Sequence, residues 1–434
     1  MKNTNRVESA LSSLRQTIDE MSATFSLNRI AEQISALRLS VFDWPSLRIG
    51  DLVARIPIVQ GGMGVGISLS RLASAVANAG GIGVIAANAI GMLERDYFRN
   101  GREANQRALR REIQKAREQT DGIIGVNIMV AVNDFHELLD VAIDEKVDLV
   151  IMGAGLPIKD LPVQRMRARG VKVAPIVSSV RAVDLIFKMW RKIYDDVPDA
   201  VVFEGPKAGG HLGFSEDQLD DPAYAFETLV PQIAEVLEGY SQEAGRTIPL
   251  IAAGGVYTGG DIYGALQLGA AGVQMGTRFV ATDECDADPA FKQAYVECSE
   301  QEIGIIKSPV GMPGRAIRNS FIEATEAGER PAFRCAWQCL ASCKAHDAQY
   351  CISIALNNAR QGRLKHGFVF AGSNAHRVDR IVPVTTLISE LAEGYRKTAR
   401  DRFAERIEHV VESLKAVGGQ VAAIAARTTN PTAV

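Results

Sequence analysis

Three groups of residues in this 434-residue chain have the types and spacing to do chemistry. The first centres on a histidine, His211, in the run VVFEGPKAGGHLGF, where Gly209, Gly210 and Gly213 flank it. An imidazole changes charge near neutral pH, so one held in a polar, glycine-rich loop is a candidate for proton transfer or substrate polarisation. Glu204, just upstream, either orients a ligand or caps its strand. His136, His346, His366, His376 and His409 lack this setting and read as surface or packing residues.

The second group is made of glycines. Gly254-Gly255 follows an apolar run in IAAGGVYTGGDI, and Gly276-Thr277 follows another in GVQMGTRF. Glycine pairs there let backbone N–H groups approach phosphate oxygens, and the Thr277 hydroxyl adds a donor. Gln60-Gly61-Gly62-Met63-Gly64 carries too little side-chain bulk for simple loop packing. It gives the backbone access that a flat ring system needs. Asn127 in GVNIM is a polar residue inside an apolar run, either a core amide or a hydrogen-bonding group for a cofactor. GAGLP, at 153–157, is again dominated by backbone.

The third group is RCAWQCLASCKAHDAQYC, which places Cys335, Cys339, Cys343 and Cys351 in a C-x3-C-x3-C-x7-C pattern. Four thiolates can hold an iron–sulfur cluster or a tetrahedral zinc. On a straight helix Cys335 and Cys343 would stand about 12 Å apart along the axis, too far to converge. Ligation therefore requires a loop or a broken helix. A [4Fe-4S] cluster is the expected occupant, with zinc, or no metal in a buried helical lid, as alternatives.

These groups need a scaffold that brings them together. Short β-branched runs recur at 56–60, 82–86, 123–129, 148–152, 171–176, 200–203, 249–253 and 272–275, with amphipathic stretches such as 69–79, 134–145, 180–193 and 260–268 between them. Near-continuous apolar strands alternating with helices indicate a parallel sheet covered by helices. Eight such units over about 230 residues predict an α/β fold of the (β/α)8 TIM-barrel type. Functional groups of such a barrel gather at the C-terminal strand ends, where the glycine pairs and His211 fall. The expected organisation is an N-terminal helical arm over 1–48, a barrel over 49–320 and a C-terminal helical lid over 321–434, with helices at 350–361 and 384–426.

Composition narrows the partners. With 48 Lys and Arg against 51 Asp and Glu, the net charge is −3, which gives no global attraction to nucleic acid or anionic membrane. The basic residues of 94–118 are interleaved with Glu103, Glu112 and Glu118 and read as a solvated helix face. No apolar run reaches the ~20 residues of a membrane span, and the polar N-terminus has no signal-peptide core. Six cysteines are few for a secreted chain, so a cytoplasmic location is expected. A homodimer through the arm or the lid is the expected assembly.

VQGGM, GVNIM, GAGLP, EGPKAGGHLG and IAAGGV…LGAAGVQMGTRF, in this order, resemble the family of nitronate monooxygenases (2-nitropropane dioxygenases) and flavin-type enoyl-acyl carrier protein reductases over residues 50–320. The resemblance implies non-covalent FMN on a TIM barrel, with the phosphate on the Gly254-Gly255 and Gly276-Thr277 loops and the ring near Gly61, Gly62, Met63 and Asn127. The implied cofactor set is completed by Gly209, Gly210, Ala253, Gln274 and Met275, and His211 takes the family's catalytic or substrate-positioning role. QGGM, GVNIM and SPVGMPGRAIRN look closer to the reductase side. The expected reaction is therefore NAD(P)H-dependent reduction of an activated C=C bond, on a small-molecule or acyl-thioester substrate. One alternative is a nitronate monooxygenase using O2; another is a non-turnover flavin or iron–sulfur subunit for electron transfer or sensing. No G-x-G-x-x-G nucleotide fingerprint follows a strand. The IMP dehydrogenase type of barrel shares the AAGG signature but needs a cysteine after strand 6, where this chain has His211. The cysteine-rich segment departs from typical members of the family.

Overall fold

The computed structural model describes residues 42–428, with Ser12 and Gln16 ahead of them. The helices expected over 7–40 otherwise lie outside the described residues. Fourteen strands are described: β1 (Leu47–Ile49), β2 (Leu52–Ala54), β3 (Ile58–Gln60), β4 (Ile82–Ala86), β5 (Ile123–Met129), β6 (Leu149–Gly153), β7 (Lys172–Val177), β8 (Val201–Glu204), β9 (Gly210–His211), β10 (Leu250–Ala253), β11 (Gly272–Met275), β12 (Ile303–Lys307), β13 (Pro313–Ile317) and β14 (Val369–Phe370). Strands β3–β8, β10 and β11 pair in parallel and close into a barrel, with β11 returning to β3 through Met275 opposite Gln60. The chain thus folds as an eight-stranded TIM barrel with flanking helices, and each of the eight apolar runs supplies one strand.

The helices form for the reasons their sequences give. In Val180–Tyr194 the buried residues Val183, Ile186, Phe187 and Trp190 recur at helical spacing, and the Ser179 side chain accepts from Ala182 N at the N-terminus. Helix Ser70–Asn78 likewise buries Leu72, Ala73, Val76 and Ala77. Leu47 and Ile49 of the β1–β2 hairpin are buried in one cluster with the barrel residues Val59, Val84, Ile151 and Val202. That cluster closes the floor of the barrel, so ligand access is left to the other end.

The basic helix Gly101–Gln119 answers its charges within the fold. Arg102 pairs with Glu137, Arg107 with Asp96, Arg110 with Glu145, Arg111 with Glu94, and Arg117 with Asp148. A face neutralised this way offers no stripe of cations to a phosphate backbone.

Beyond the barrel the structure adds a sheet that the strand–helix alternation does not announce. Strands β12, β13 and β14 pair antiparallel, and β9 joins β13 through Gly314 opposite His211. Helices follow at Ser320–Glu326, Ile352–Arg360 and Val384–Thr428, close to the expected ranges at 350–361 and 384–426. The chain forms two compact units. One holds Pro45–Tyr257 with Gly264–Ser389; the other includes Thr258–Tyr263 and the chain from Glu390 onward. Within the latter, Tyr395 packs against Trp44 and Tyr263, and Phe42 meets Phe403 edge-on.

Candidate active site

The C-terminal strand ends surround a cavity. Its wall contains all the residues expected to meet a cofactor: Gly61, Gly62 and Met63 after β3, Asn127 on β5, Gly209 and Gly210 before His211, Ala253, Gly254 and Gly255 at β10, and Gln274, Met275, Gly276 and Thr277 at β11. His211 lines the same cavity, and His136, His346, His366, His376 and His409 do not. The four cysteines do not line it either, although Leu340, Ile352 and Ser353, next to them in sequence, do.

The amides in this wall and just behind it divide into two kinds. Gln60 is a satisfied core amide: its Oε1 accepts from Val84 N at 3.0 Å and its Nε2 donates to Gly61 O. Gln274 Oε1 is buried on the cavity wall with no hydrogen-bond partner among the described residues. A buried acceptor left without a donor costs roughly 1–3 kcal/mol, so this atom calls for a ligand or water. Asn127 also lines the cavity, and its side chain makes no hydrogen bond among the described residues.

Two backbone features shape the cavity wall. A Cβ at Gly62 would stand 2.3 Å from Asn127 Cβ, and Gly254 adopts φ +91°, a conformation that L side chains rarely take. Asn374 Nδ2 donates to Gly255 O at 2.7 Å, so a residue from the chain after the barrel fixes one glycine pair.

His211 is held by β-pairing. Its strand lies antiparallel to β13, and Leu212 N donates to Pro313 O at 2.9 Å. Arg315 on the same strand donates from Nη1 to Pro206 O and Ala208 O at 2.6 and 2.7 Å, pinning the loop that leads into the histidine. The imidazole Nε2 sits 2.7 Å from Ser308 Oγ, and Phe370 packs edge-on with ring centroids 5.0 Å apart. Enclosure pushes the His211 pKa down to about 4, so the ring is neutral at physiological pH. With Nε2 engaged by Ser308, Nδ1 is the nitrogen left for a substrate.

Glu204 ends β8, beside Ala253 of β10, and lines the cavity. No cation or donor meets its carboxyl among the described residues, and burial pushes its pKa up to about 7. Ser308, Phe370 and Gly372 were not signalled by their own types. The signal nearest to them is the segment SPVGMPGRAIRN, whose proline and glycines mark the turn that carries Ser308.

From Glu329 to Cys351 the chain is loops and turns, with one bridge between Leu340 and Val132. The cysteines are therefore not on a helix. All four are free thiols, and burial raises the pKa of Cys339 to about 11. Among the described residues no three His, Cys, Asp or Glu side chains close around a point that suits a single metal ion. The expected metal site on Cys335, Cys339, Cys343 and Cys351, whether iron–sulfur or zinc, is thus not seen among the described residues.

The nitronate monooxygenase profile matches residues 48–138 and 115–394, which include the barrel and β13, the post-barrel strand paired with that of His211. The chain belongs to the nitronate monooxygenase family. It is similar to the (3aS,4S,5R,7aS)-5-hydroxy-7a-methyl-1-oxo-octahydro-1H-indene-4-carboxyl-CoA dehydrogenase of Mycobacterium tuberculosis, at 31% identity over 274 residues, covering 63% of this chain and 66% of that protein. The chain thus spans just under two-thirds of that relative's length. A probable nitronate monooxygenase of Staphylococcus aureus (strain Newman) is 28% identical over 317 residues, covering 64% of this chain and 80% of that one. Among solved structures, FabK from Thermotoga maritima matches with a TM-score of 0.62 at 28% identity, covering 80% of this chain and 95% of its own. A nitroalkane oxidase from Streptomyces ansochromogenes shares the fold, with a TM-score of 0.61 at 24% identity, covering 82% and 98% of the two chains. No helix among the described residues is long and apolar enough to cross a membrane.

Proposed function

We propose that this chain is an FMN-dependent oxidoreductase that takes reducing equivalents from NAD(P)H and reduces an activated C=C bond of an acyl thioester. The observation that carries the reading is one cavity wall with two contrasting parts. Unpartnered amides and bare glycine backbone form one part, and a neutral, braced imidazole forms the other. The wall fits the flavin. Gln274 and Asn127 offer amides for the polar edge of a ring, and Gly61, Gly62 and Met63 offer backbone for its face. Gly254, Gly255, Gly276 and Thr277 offer N–H groups and a hydroxyl for a phosphate. When bound, FMN supplies hydride chemistry between a nicotinamide and carbon.

The protein's own part is positioning. His211 faces the substrate through Nδ1 and polarises it by a hydrogen bond from the neutral ring, while Ser308 and β13 keep the ring from turning. A thioester carbonyl conjugated to the double bond gives such a group something to polarise. The substrate class is supported by the mycobacterial relative, whose name specifies a carboxyl-CoA compound. A nitronate monooxygenase reaction with O2 is the second reading, supported by the family profile and the staphylococcal relatives.

The test starts with purified protein and release of its flavin by denaturation, with identification by mass. NADPH- or NADH-dependent loss of a 2-enoyl thioester is then followed with and without His211→Ala. FMN and turnover that falls in the variant, with flavin retained, is the expected result. A protein that carries no flavin after expression and reconstitution overturns the reading.

A further inference from the structure

Saturating the C=C bond of an enoyl thioester takes a hydride at the β-carbon and a proton at the α-carbon. The nicotinamide supplies the hydride, so the proton needs a source of its own. His211 does not fit that step. Its enclosed ring carries a single proton at neutral pH, and that proton serves the carbonyl. The other titratable side chains on the cavity wall are Glu204, Lys207 and Tyr295. Tyr295 donates its hydroxyl hydrogen to Phe370 O at 2.6 Å, and burial raises the phenol far above neutrality. Lys207 is exposed, with its stem beside Gly255 at the end of the wall offered to a phosphate.

Glu204 differs from all three. Ala200 and Val202 belong to the core cluster inside the barrel with Ile151 and Ile251. The period-two alternation of a strand puts Glu204 on that same inner face, at the open end. Glu204 pairs with Ala253, and Ala253 pairs on its other side with Gln274. The carboxyl and the unpartnered Gln274 amide therefore rise from one level of the barrel, two strands or about 10 Å apart. The flanking strands bring no charge to it: β10 offers Ala253, and β7 ends in Ile176 and Val177. Among the described residues the carboxyl thus faces the cavity with no base to take its proton and no cation to hold it ionised. Burial keeps it protonated up to about pH 7, where an acid for a neutral-pH reaction is best matched.

We infer that Glu204 is the proton donor of the reaction, delivering its carboxyl hydrogen to the α-carbon of the enoyl thioester while His211 polarises the carbonyl. On transfer the Glu204 O–H bond breaks. A C–H bond forms at the α-carbon from the electron pair that the arriving hydride displaces out of the double bond. The carboxylate then regains a proton from solvent. This inference rests on the enoyl-thioester reading and assigns the proton that the reading leaves without a source.

The test separates the two halves of turnover in flavin-loaded protein by anaerobic stopped-flow absorbance. In Glu204→Gln, NADPH or NADH should bleach the flavin as in wild type, whereas reoxidation by a 2-enoyl-CoA should slow roughly 10²–10⁴-fold. Wild-type reoxidation should fall as pH rises through about 7, and Glu204→Gln should lose that dependence. Glu204→Asp, which keeps an acid, should recover part of the rate. Infrared difference spectra of flavin-free wild type against Glu204→Gln give a readout independent of activity. They should show a protonated-carboxyl band that fades as pH rises through about 7. Reoxidation of Glu204→Gln at the wild-type rate overturns the inference. So does wild-type reoxidation that stays constant between about pH 6 and pH 9, which decides the case if the variants fail to fold. Wild type that a nicotinamide reduces but no enoyl thioester reoxidises at any pH sinks the enoyl reading itself, and this inference with it.

Discussion

At the scale of single residues, His211 lines the cavity with Nε2 committed to Ser308 and no hydrogen bond to Nδ1 among the described residues. Replacing His211 with Ala should lower turnover by roughly 10²–10⁴-fold, the usual worth of a positioned acid–base group. The flavin content should stay unchanged; its loss would show that the imidazole merely holds the fold. Ser308→Ala removes the brace and leaves the ring in place. We expect a smaller fall in kcat with little change in KM, together with a shifted pH profile, because the ring gains rotational freedom and a new tautomer balance. Glu204 gives a prediction in pH. Its carboxyl is neutral in the fold up to about pH 7, whereas an unfolded glutamate ionises near its ordinary 4.5. Its favourable contribution is present below that ordinary value and fades as pH rises through about 7. Thermal unfolding of flavin-free protein should therefore show Glu204→Gln gaining on wild type between about pH 5 and pH 8. Parallel curves would mean that the carboxyl is solvated.

At the scale of elements, the barrel strands were legible because parallel strands buried on both faces read as unbroken apolar runs. IIGVNIM and LIAA could hardly be anything else. Asn127 and the Gly254-Gly255 pair stood out against those runs for the same reason. Strands β9 and β12–β14 were illegible: β9 and β14 have two residues each, and they pair with β13 across 103 to 105 and 52 to 54 positions of sequence. That is why Ser308, which depends on the β12–β13 turn, could not be placed beside His211 from its spacing. Close packing at β3 makes a direct prediction. A Cβ at Gly62 would collide with Asn127, so Gly62→Ala should displace that amide and weaken flavin binding by tenfold or more, about 1.4 kcal/mol. Gly264→Ala, where an added methyl meets nothing within 4 Å, should leave affinity unchanged. Equal losses in the two variants, read by fluorescence titration of the apoprotein, would contradict the argument.

At the scale of the whole molecule, the post-barrel chain completes the site. Phe370, Gly372, Leu340 and Ile352 line the cavity although they follow the last barrel strand by 65 to 97 positions. Local patterns cannot announce such contacts; the barrel's count of eight could be read because it repeats, and this wall does not repeat. The cysteine segment shows the same limit, since its spacing suggests a ligand set, whereas no three such side chains among the described residues come together to hold a metal ion. In the proposed reaction this cavity holds FMN that is reduced by a nicotinamide and reoxidised by an enoyl thioester. The most direct test is anaerobic stopped-flow absorbance of the flavin-loaded protein. Mixing with NADPH or NADH should bleach the flavin band, and a 2-enoyl-CoA added next should restore it. Bleaching by a nitronate alone, with neither nicotinamide effective, would contradict the claim and place the protein on the oxygen-using branch.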